Sequence, residues 1–304
     1  MKYRRVGVLM GGLSAEREVS LNSGGAVADG LEAKGYEVAR IDVTRRLDEQ
    51  LRAARVDAVF IALHGRWGED GTVQGMLEVM GIPYTGSPPL ASALAMDKER
   101  TRDLLAAAGV RIAEGACVRR GASLALPSGL AIPVVVKPAT EGSSVGVTIV
   151  HTAEELAPAF DAAWQCADRA IVERYVRGSE INVAIVDGEV LGSVEIVPNR
   201  EFYDYTAKYA PGGSSHFVPP RVAKAIVDEV EWQGAAAYAA LGCAGAARVD
   251  LIAPSDAPPI VLEVNTIPGM TTTSLLPEIA AHAGIGFPEL VARIIENARL
   301  HVGQ

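Results

Sequence analysis

Two short segments hold the densest chemistry in this sequence. Ala247-Arg248-Val249-Asp250-Leu251-Ile252 and Ile260-Val261-Leu262-Glu263-Val264-Asn265 each alternate polar with apolar residues, and Pro254-Ser255-Asp256-Ala257-Pro258-Pro259 between them is turn composition. A hairpin centred between residues 256 and 257 sets Asp250 opposite Glu263 and Arg248 opposite Asn265. Because strand side chains repeat every two residues, all four share one face. Opposed carboxylates repel unless positive charge sits between them, and Asp, Glu and Asn oxygens suit a hard divalent cation such as Mg²⁺. A charged solvent face is the plainer alternative, but the flanking Val, Leu and Ile residues argue against it. A metal site at Asp250, Glu263 and Asn265 is the expectation.

Three further stretches are unusual. Val136-Lys137-Pro138-Ala139-Thr140-Glu141-Gly142-Ser143-Ser144-Val145-Gly146-Val147 reads as a strand ending in lysine, a small-residue loop and a return strand. Such a loop exposes backbone N–H groups to phosphate oxygens, although a plain hairpin loop would look the same. It is not a Walker loop, since no Lys-Ser/Thr follows its last glycine. Lys98, in Met96-Asp97-Lys98, is either a solvated lysine or a phosphate partner. Glu173 and Glu180 flank a linker between strands, as surface acids or as partners of a nucleoside. Tyr203, Tyr205 and Tyr209 crowd into Phe202–Tyr209 ahead of Pro211-Gly212-Gly213, in a chain with only 5% aromatics. That grouping suggests a lid over a site across about 199–216, or a loop packed on its own rings.

The elements that must position these residues follow from periodicity. The first third alternates strand and helix: strand Arg5–Met10, helix Ser20–Lys34, strand Glu37–Val43, strand Ala58–Leu63 and helix Thr72–Met80. That rhythm predicts a parallel sheet, with Gly11–Glu16 and His64–Glu69 as loops at the carboxyl ends of strands, where such sheets bind ligands. The pattern relaxes at 87–95, which places a boundary there. Helix Lys98–Ala108 then leads to strands Val134–Lys137, Val145–Val150, Ala170–Val176, Ile181–Val186 and Val190–Val197, interrupted by helix Ala153–Ala167. Asp187-Gly188 is hairpin chemistry. Helix Arg221–Ala240, the metal-bearing hairpin and a helix near Phe287–Ala298 complete the chain. The fold class read from this is α/β and α+β, with domains at 1–95, 96–176 and 177–304.

Composition sets the outer bounds. The chain has 304 residues, 28 Lys+Arg against 37 Asp+Glu and a net charge of −9, which disfavours a dedicated nucleic-acid binder. Its apolar runs are too short for a membrane span. Three scattered cysteines suit a reducing cytosol and build neither a disulfide framework nor a zinc site. Hydrolase elbows, zincin helices and dinucleotide fingerprints are absent from the sequence. A phosphate cradle, lysines and a divalent metal together point to ATP-dependent chemistry.

The chain also resembles the D-alanine–D-alanine ligase family of the ATP-grasp superfamily over almost its whole length. The strings that carry the likeness are Gly11–Ser20, Leu63-His64-Gly65, Met96-Asp97-Lys98, Glu141–Gly146, Phe202–Tyr205 with Lys208-Tyr209, Arg248-Val249-Asp250 and Glu263–Thr271. The resemblance implies an N-terminal Rossmann-like domain followed by an ATP-grasp pair holding ATP between them. It implies that ATP phosphorylates one D-alanine and that the amine of a second attacks the acyl phosphate, for cell-wall precursors. By motif position, Glu16 would anchor the first ammonium, Ser143 and Tyr209 would support it, and His64 would lie near that substrate. Arg248 and the Gly269 backbone would stabilise the oxyanion, while Ser274 and Leu275 would hold the second carboxylate. Lys98, Lys137 and Lys208 would neutralise ATP phosphates, Glu173 and Glu180 would bind adenosine, and Asp250, Glu263 and Asn265 would hold two Mg²⁺ (or Mn²⁺). A cytoplasmic homodimer is implied too. The rival within the superfamily is a ligase joining D-alanine to D-lactate, against which Tyr209 argues; the rival outside it is a non-catalytic ATP-binding module.

Overall fold

The computed structural model describes residues 1–304 except 123, 125, 143, 144, 199–212, 272 and 302–304. Strands β1 (Arg5–Met10), β2 (Glu37–Asp42) and β3 (Ala58–Ile61) form the expected parallel sheet, in the order β2-β1-β3. Val6, Val8 and Leu9 on the central strand are fully buried, as a strand covered on both faces requires. Helix α1 (Arg17–Ala33) lies against β1, while α2 (Leu47–Ala54) and α3 (Thr72–Met80) follow β2 and β3. Residues 87–95, where the sequence pattern relaxes, carry helix α4 (Pro89–Met96). Proline opens that helix, where its missing N–H costs nothing, and its Ala/Leu-rich sequence lacks a polar face to betray it.

Helix α5 (Lys98–Ala107) leads into a second sheet of four antiparallel strands. These are β4 (Gly115–Arg119), β5 (Val134–Pro138), β6 (Thr148–Val150) and β7 (Arg169–Arg174), ordered β4-β7-β5-β6. Helix α6 (Leu156–Cys166) covers it through Phe160 and Trp164. Strand β6 is shorter than the expected Val145–Val150, and β4 had no clear alternation to reveal it.

A third sheet holds β8 (Ser179–Val186), β9 (Glu189–Pro198), β10 (Ser214–Phe217), β11 (Ala246–Ala253) and β12 (Ile260–Asn265), ordered β10-β9-β8-β11-β12. Helix α7 (Lys224–Ala240) packs on one face with Ile181, Val183 and Ile185. Helix α8 (Leu275–His282) packs on the other, with Ala184 and Val186. Coverage on both faces explains why β8 ends in the apolar run Val183–Val186. The β8–β9 turn is the hairpin that Asp187-Gly188 announced, both residues having positive φ (51° and 82°). Helix α9 (Phe287–Glu296) packs on α1, so one core joins Val6, Val8 and Leu31 to Leu276, Ile279 and Leu290. First and last segments therefore stabilise each other.

The first and third sheets also meet at two turns. Gly245 has φ +64°, and a Cβ there would stand 2.7 Å from the Gly86 backbone N. Its carbonyl accepts from the Asp187 N–H at 2.9 Å and the Tyr238 hydroxyl at 3.1 Å, so it has little freedom to retreat. Gly245→Ala is expected to cost about 2 kcal/mol or more, from left-handed backbone strain plus overpacking. A urea midpoint equal to that of the unchanged protein would show that these turns do not touch.

Candidate active site

Lys98 owes its position to a cap. Asp97 accepts from the Glu99 and Arg100 backbone N–H groups at 3.1 and 3.3 Å, which satisfies the start of α5. The same carboxylate receives Arg169 from β7 at 2.7 Å, and the Lys98 N–H donates to the Ala139 carbonyl at 2.8 Å. Burial works to raise the Asp97 pKa, yet Arg169 and the helix amides hold it below its ordinary value. Two anchors to the second sheet thus aim the Lys98 side chain. Its Nζ donates to the Glu141 carbonyl at 2.6 Å and lies 3.8 Å from Glu263 Oε2.

Lys98 stands in a cleft of about 530 Å³ between the second and third sheets. Lys137, Glu173, Glu180, Asp250, Glu263 and Gly142 line it as well, together with apolar Val135, Ile196, Ile252 and Leu262. Charged groups and apolar walls in one lining suit a ligand that carries both anionic groups and a flat apolar body. Glu173 is buried, yet it contacts two cations: Lys137 Nζ on one carboxylate oxygen and Arg102 at 2.6 Å on the other. Arg102 also donates to the Ala113 carbonyl at 2.7 Å. Its spacing of four from Lys98 puts both on one face of α5, a signal the sequence contained.

The acidic hairpin forms as its arithmetic demanded, with Arg248 opposite Asn265 and Asp250 opposite Glu263. Beyond Asp250 the register shifts, pairing Leu251 with Val261, so a bulge ends the strict alternation just past the acidic pair. Asp250 is buried and holds the Arg248 guanidinium in a two-point pair at 2.6 and 2.8 Å. Asn265 Nδ2 donates to the same carboxylate at 3.2 Å. Among the described residues no cluster of three or more His, Cys, Asp or Glu is gathered as a metal cage. The donor set is two carboxylates and an amide, and each carboxylate already faces a cation, Arg248 on Asp250 and Lys98 on Glu263. That chemistry fits a hard divalent ion.

A second group gathers where α1, the His64 loop and the loop before α8 meet. Glu16 closes the turn that opens α1, its carbonyl accepting from the Ser20 N–H at 3.0 Å. A Cβ on Gly65 would stand 2.6 Å from Glu16 Oε2, so the absence of a side chain there lets this carboxylate approach. His64 is buried between Ser23 and Glu69. Gly269 lies against Ser274, which immediately precedes α8 and whose hydroxyl bonds Thr271 rather than the helix amides, with Leu275 buried as the first residue of α8. A helix start offers backbone N–H groups to a carboxylate. Ser143, Lys208 and Tyr209, and the expected lid over most of 199–216, lie outside the described residues. Arg102, Ser23 and Glu69 were not singled out from the sequence; Ser23 is brought in by contacts between distant segments, and Glu69 by His64 five residues before it.

Sequence models described as "D-ala D-ala ligase C-terminus" and "D-ala D-ala ligase N-terminus" match residues 104–296 and 45–87. The D-alanine–D-alanine ligase of Citrifermentans bemidjiense is 51% identical over 302 residues, covering 99% of this chain and 98% of that one. That of Geobacter sulfurreducens is 51% identical over 304 residues, covering 99% and 96%. A crystal structure of the Bacillus anthracis D-alanine–D-alanine ligase complexed with ATP superposes with a TM-score of 0.85 at 34% identity, covering 97% of each chain. The VanG D-Ala:D-Ser ligase of Enterococcus faecalis does so with a TM-score of 0.85 at 30% identity, covering 96% and 98%.

The paired cations on Glu173 make a test that needs no ligand. Arg102→Ala leaves one buried carboxylate oxygen and the Ala113 carbonyl without their donor. The expected loss is about 1–3 kcal/mol of unfolding free energy. A denaturant midpoint unmoved by this change would mean that Lys137 alone satisfies Glu173.

Proposed function

The chain belongs to the D-alanine–D-alanine ligase family, and from that premise we propose that it joins two D-alanines with ATP to make D-alanyl-D-alanine for cell-wall precursors. The observation that carries this reading is the opposed pair Asp250 and Glu263 in the lining of a nucleotide-sized cleft, with Arg248 and Asn265 on the same hairpin and Lys98 Nζ 3.8 Å from Glu263 Oε2. ATP donates its γ-phosphoryl group to a carboxylate oxygen of the first D-alanine, and ADP leaves. The amine of the second D-alanine, having lost a proton, attacks the acyl carbon, and the tetrahedral oxyanion collapses with expulsion of phosphate.

Each residue has a place in that sequence. Lys98, Lys137 and Lys208 meet the phosphates, and Glu173 and Glu180 meet the adenosine end. Asp250, Glu263 and Asn265 would hold two Mg²⁺ or Mn²⁺ ions, which supply charge neutralisation when bound. Arg248 and the Gly269 backbone face the developing oxyanion, where fixed donors act most strongly in a site from which water is excluded. Glu16 anchors the first ammonium, with Ser143 and Tyr209 around it and His64 nearby. Ser274 and the start of α8 at Leu275 take the second carboxylate. Among the described residues no helix is long and apolar enough to cross a membrane. We further propose a cytoplasmic homodimer; Val79 on α3 and Leu90 on α4 are large apolar residues left exposed.

Phosphate release coupled to product analysis tests the reading directly. D-Alanine should support turnover, and L-alanine should not. Amide product with D-alanine and no ester with D-lactate separates this reading from a depsipeptide ligase, and no phosphate release at all would leave only an ATP-binding module. Glu16→Gln should lose roughly 3 kcal/mol of transition-state stabilisation, as for a charged group left without its partner. Its affinity for ATP should hold, because nucleotide contacts lie in other segments; retained turnover would remove Glu16 from the first-substrate site. Glu263→Gln should weaken Mg²⁺ or Mn²⁺ binding by calorimetry about tenfold or more while the fold stays intact. Unchanged metal affinity would remove Glu263 from the ligand set.

A further inference from the structure

Ser23 is fully buried on α1, and its hydroxyl stands between two loops that the reaction uses. Its Oγ lies 3.1 Å from His64 Nε2, and the Met270 backbone N–H donates to the same oxygen at 3.3 Å. Across the ring, His64 Nδ1 faces Glu69 Oε1 at 3.4 Å. With the His64 imidazole neutral, donor accounting orders the protons. An amide N–H only donates, so Met270 uses a lone pair of Oγ. An ionised carboxylate only accepts, so Nδ1 carries the ring hydrogen toward Glu69. The one Ser23 O–H hydrogen then points at Nε2, and Ser23 and Glu69 together select the tautomer of His64.

The contacts around this hydroxyl reach both halves of the site. The His64 carbonyl accepts from the Ser14 hydroxyl at 2.7 Å, and Ser14 Oγ in turn accepts from the Glu16 N–H at 3.2 Å. Met270 follows Gly269 and precedes the turn into Ser274. A serine inside a helix ordinarily bonds its own helix or solvent. Ser23 instead spends its oxygen on groups 41 and 247 residues away in the chain. Ser20, one turn earlier, reaches the Ala62 carbonyl at 2.7 Å and joins only its own sheet's loop.

We propose that Ser23 is a positioning residue of the ligase reaction, registering the first-substrate loops of Glu16 and His64 against the Gly269–Met270 turn; this rests on the function proposed above. Ser23 touches no substrate, and it acts by holding His64 and the Met270 amide on one oxygen.

Steady-state kinetics of Ser23→Ala, His64→Ala and the double variant test it beside the unchanged protein. Ser23→Ala should raise KM for the first D-alanine and lower kcat, together about tenfold or more in kcat/KM, because small misplacements of reacting groups are costly. KM for ATP should stay within about twofold, which a general loss of structure would not spare. The double variant should lose less than the product of the single losses, since one relay is broken either way. Ser23→Cys, similar in size with a weaker donor, should fall between serine and alanine. Unchanged kinetics in Ser23→Ala, an equal loss of ATP affinity, losses that multiply, or a cysteine variant equal to the unchanged protein would each overturn the proposal. If the unchanged protein makes dipeptide and Ser23→Ala makes it with the same kinetics, the positioning role alone fails; if the unchanged protein makes none, the ligase reading fails first and takes this one with it.

Discussion

Two carboxylates directly opposed on neighbouring strands are the constraint around which this molecule is arranged. Asp250 and Glu263 face each other in register, and Asp250 is buried. Like charges so close, away from solvent, require positive partners. Arg248 fills that need from two residues away on the same strand, and Lys98 fills it from another element altogether. The reach of Lys98 depends on α5 starting at one point, which Asp97 and Arg169 secure by tying the helix cap to the second sheet. A local repulsion is thereby turned into a requirement on how two sheets and a helix sit together.

The same logic organises the rest of the cleft. Glu173 is tolerated in the interior because Lys137 and Arg102 each take one of its oxygens. Burying an ion pair gives little net stability, but removing one partner is costly, so such pairs specify geometry more than they add stability. Here that geometry places two lysines, a paired acid and the hairpin acids around one volume of about 530 Å³. A highly charged ligand finds donors already aimed, and little ordering is left to be done on binding.

The first-substrate region depends on a different device, close contact between segments far apart in the chain. The core shared by β1, α1, α8 and α9 brings the last third of the chain onto the first. That contact lets Ser23 reach Met270, while Glu16 lies beside Gly65 within the N-terminal sheet's own loops. Without the C-terminal helices on the N-terminal sheet, the loops after β1 and β3 would have no opposing wall.

How much of this could be read from residues alone follows from the range of each interaction. The acidic hairpin was legible through Asp250 and Glu263, because strand alternation and a proline-rich turn are local, but the bulge beyond them was not. The parallel sheet, the Asp187-Gly188 turn and helix α5 were legible for the same reason, and the family likeness followed from ordered strings of loop residues. Helix α4 was not, since an Ala/Leu-rich segment carries no amphipathic period, nor were the short strand β4 and helix α8, whose stability comes from the surfaces they cover. Arg102 could have been found by its spacing from Lys98. Ser23 could not, because its partners are set by how α1, the His64 loop and the Gly269–Met270 turn converge. Hydrogen bonds and apolar periods within a few residues are written in sequence, whereas contacts across 41 or 247 residues exist only once packing has decided which surfaces meet.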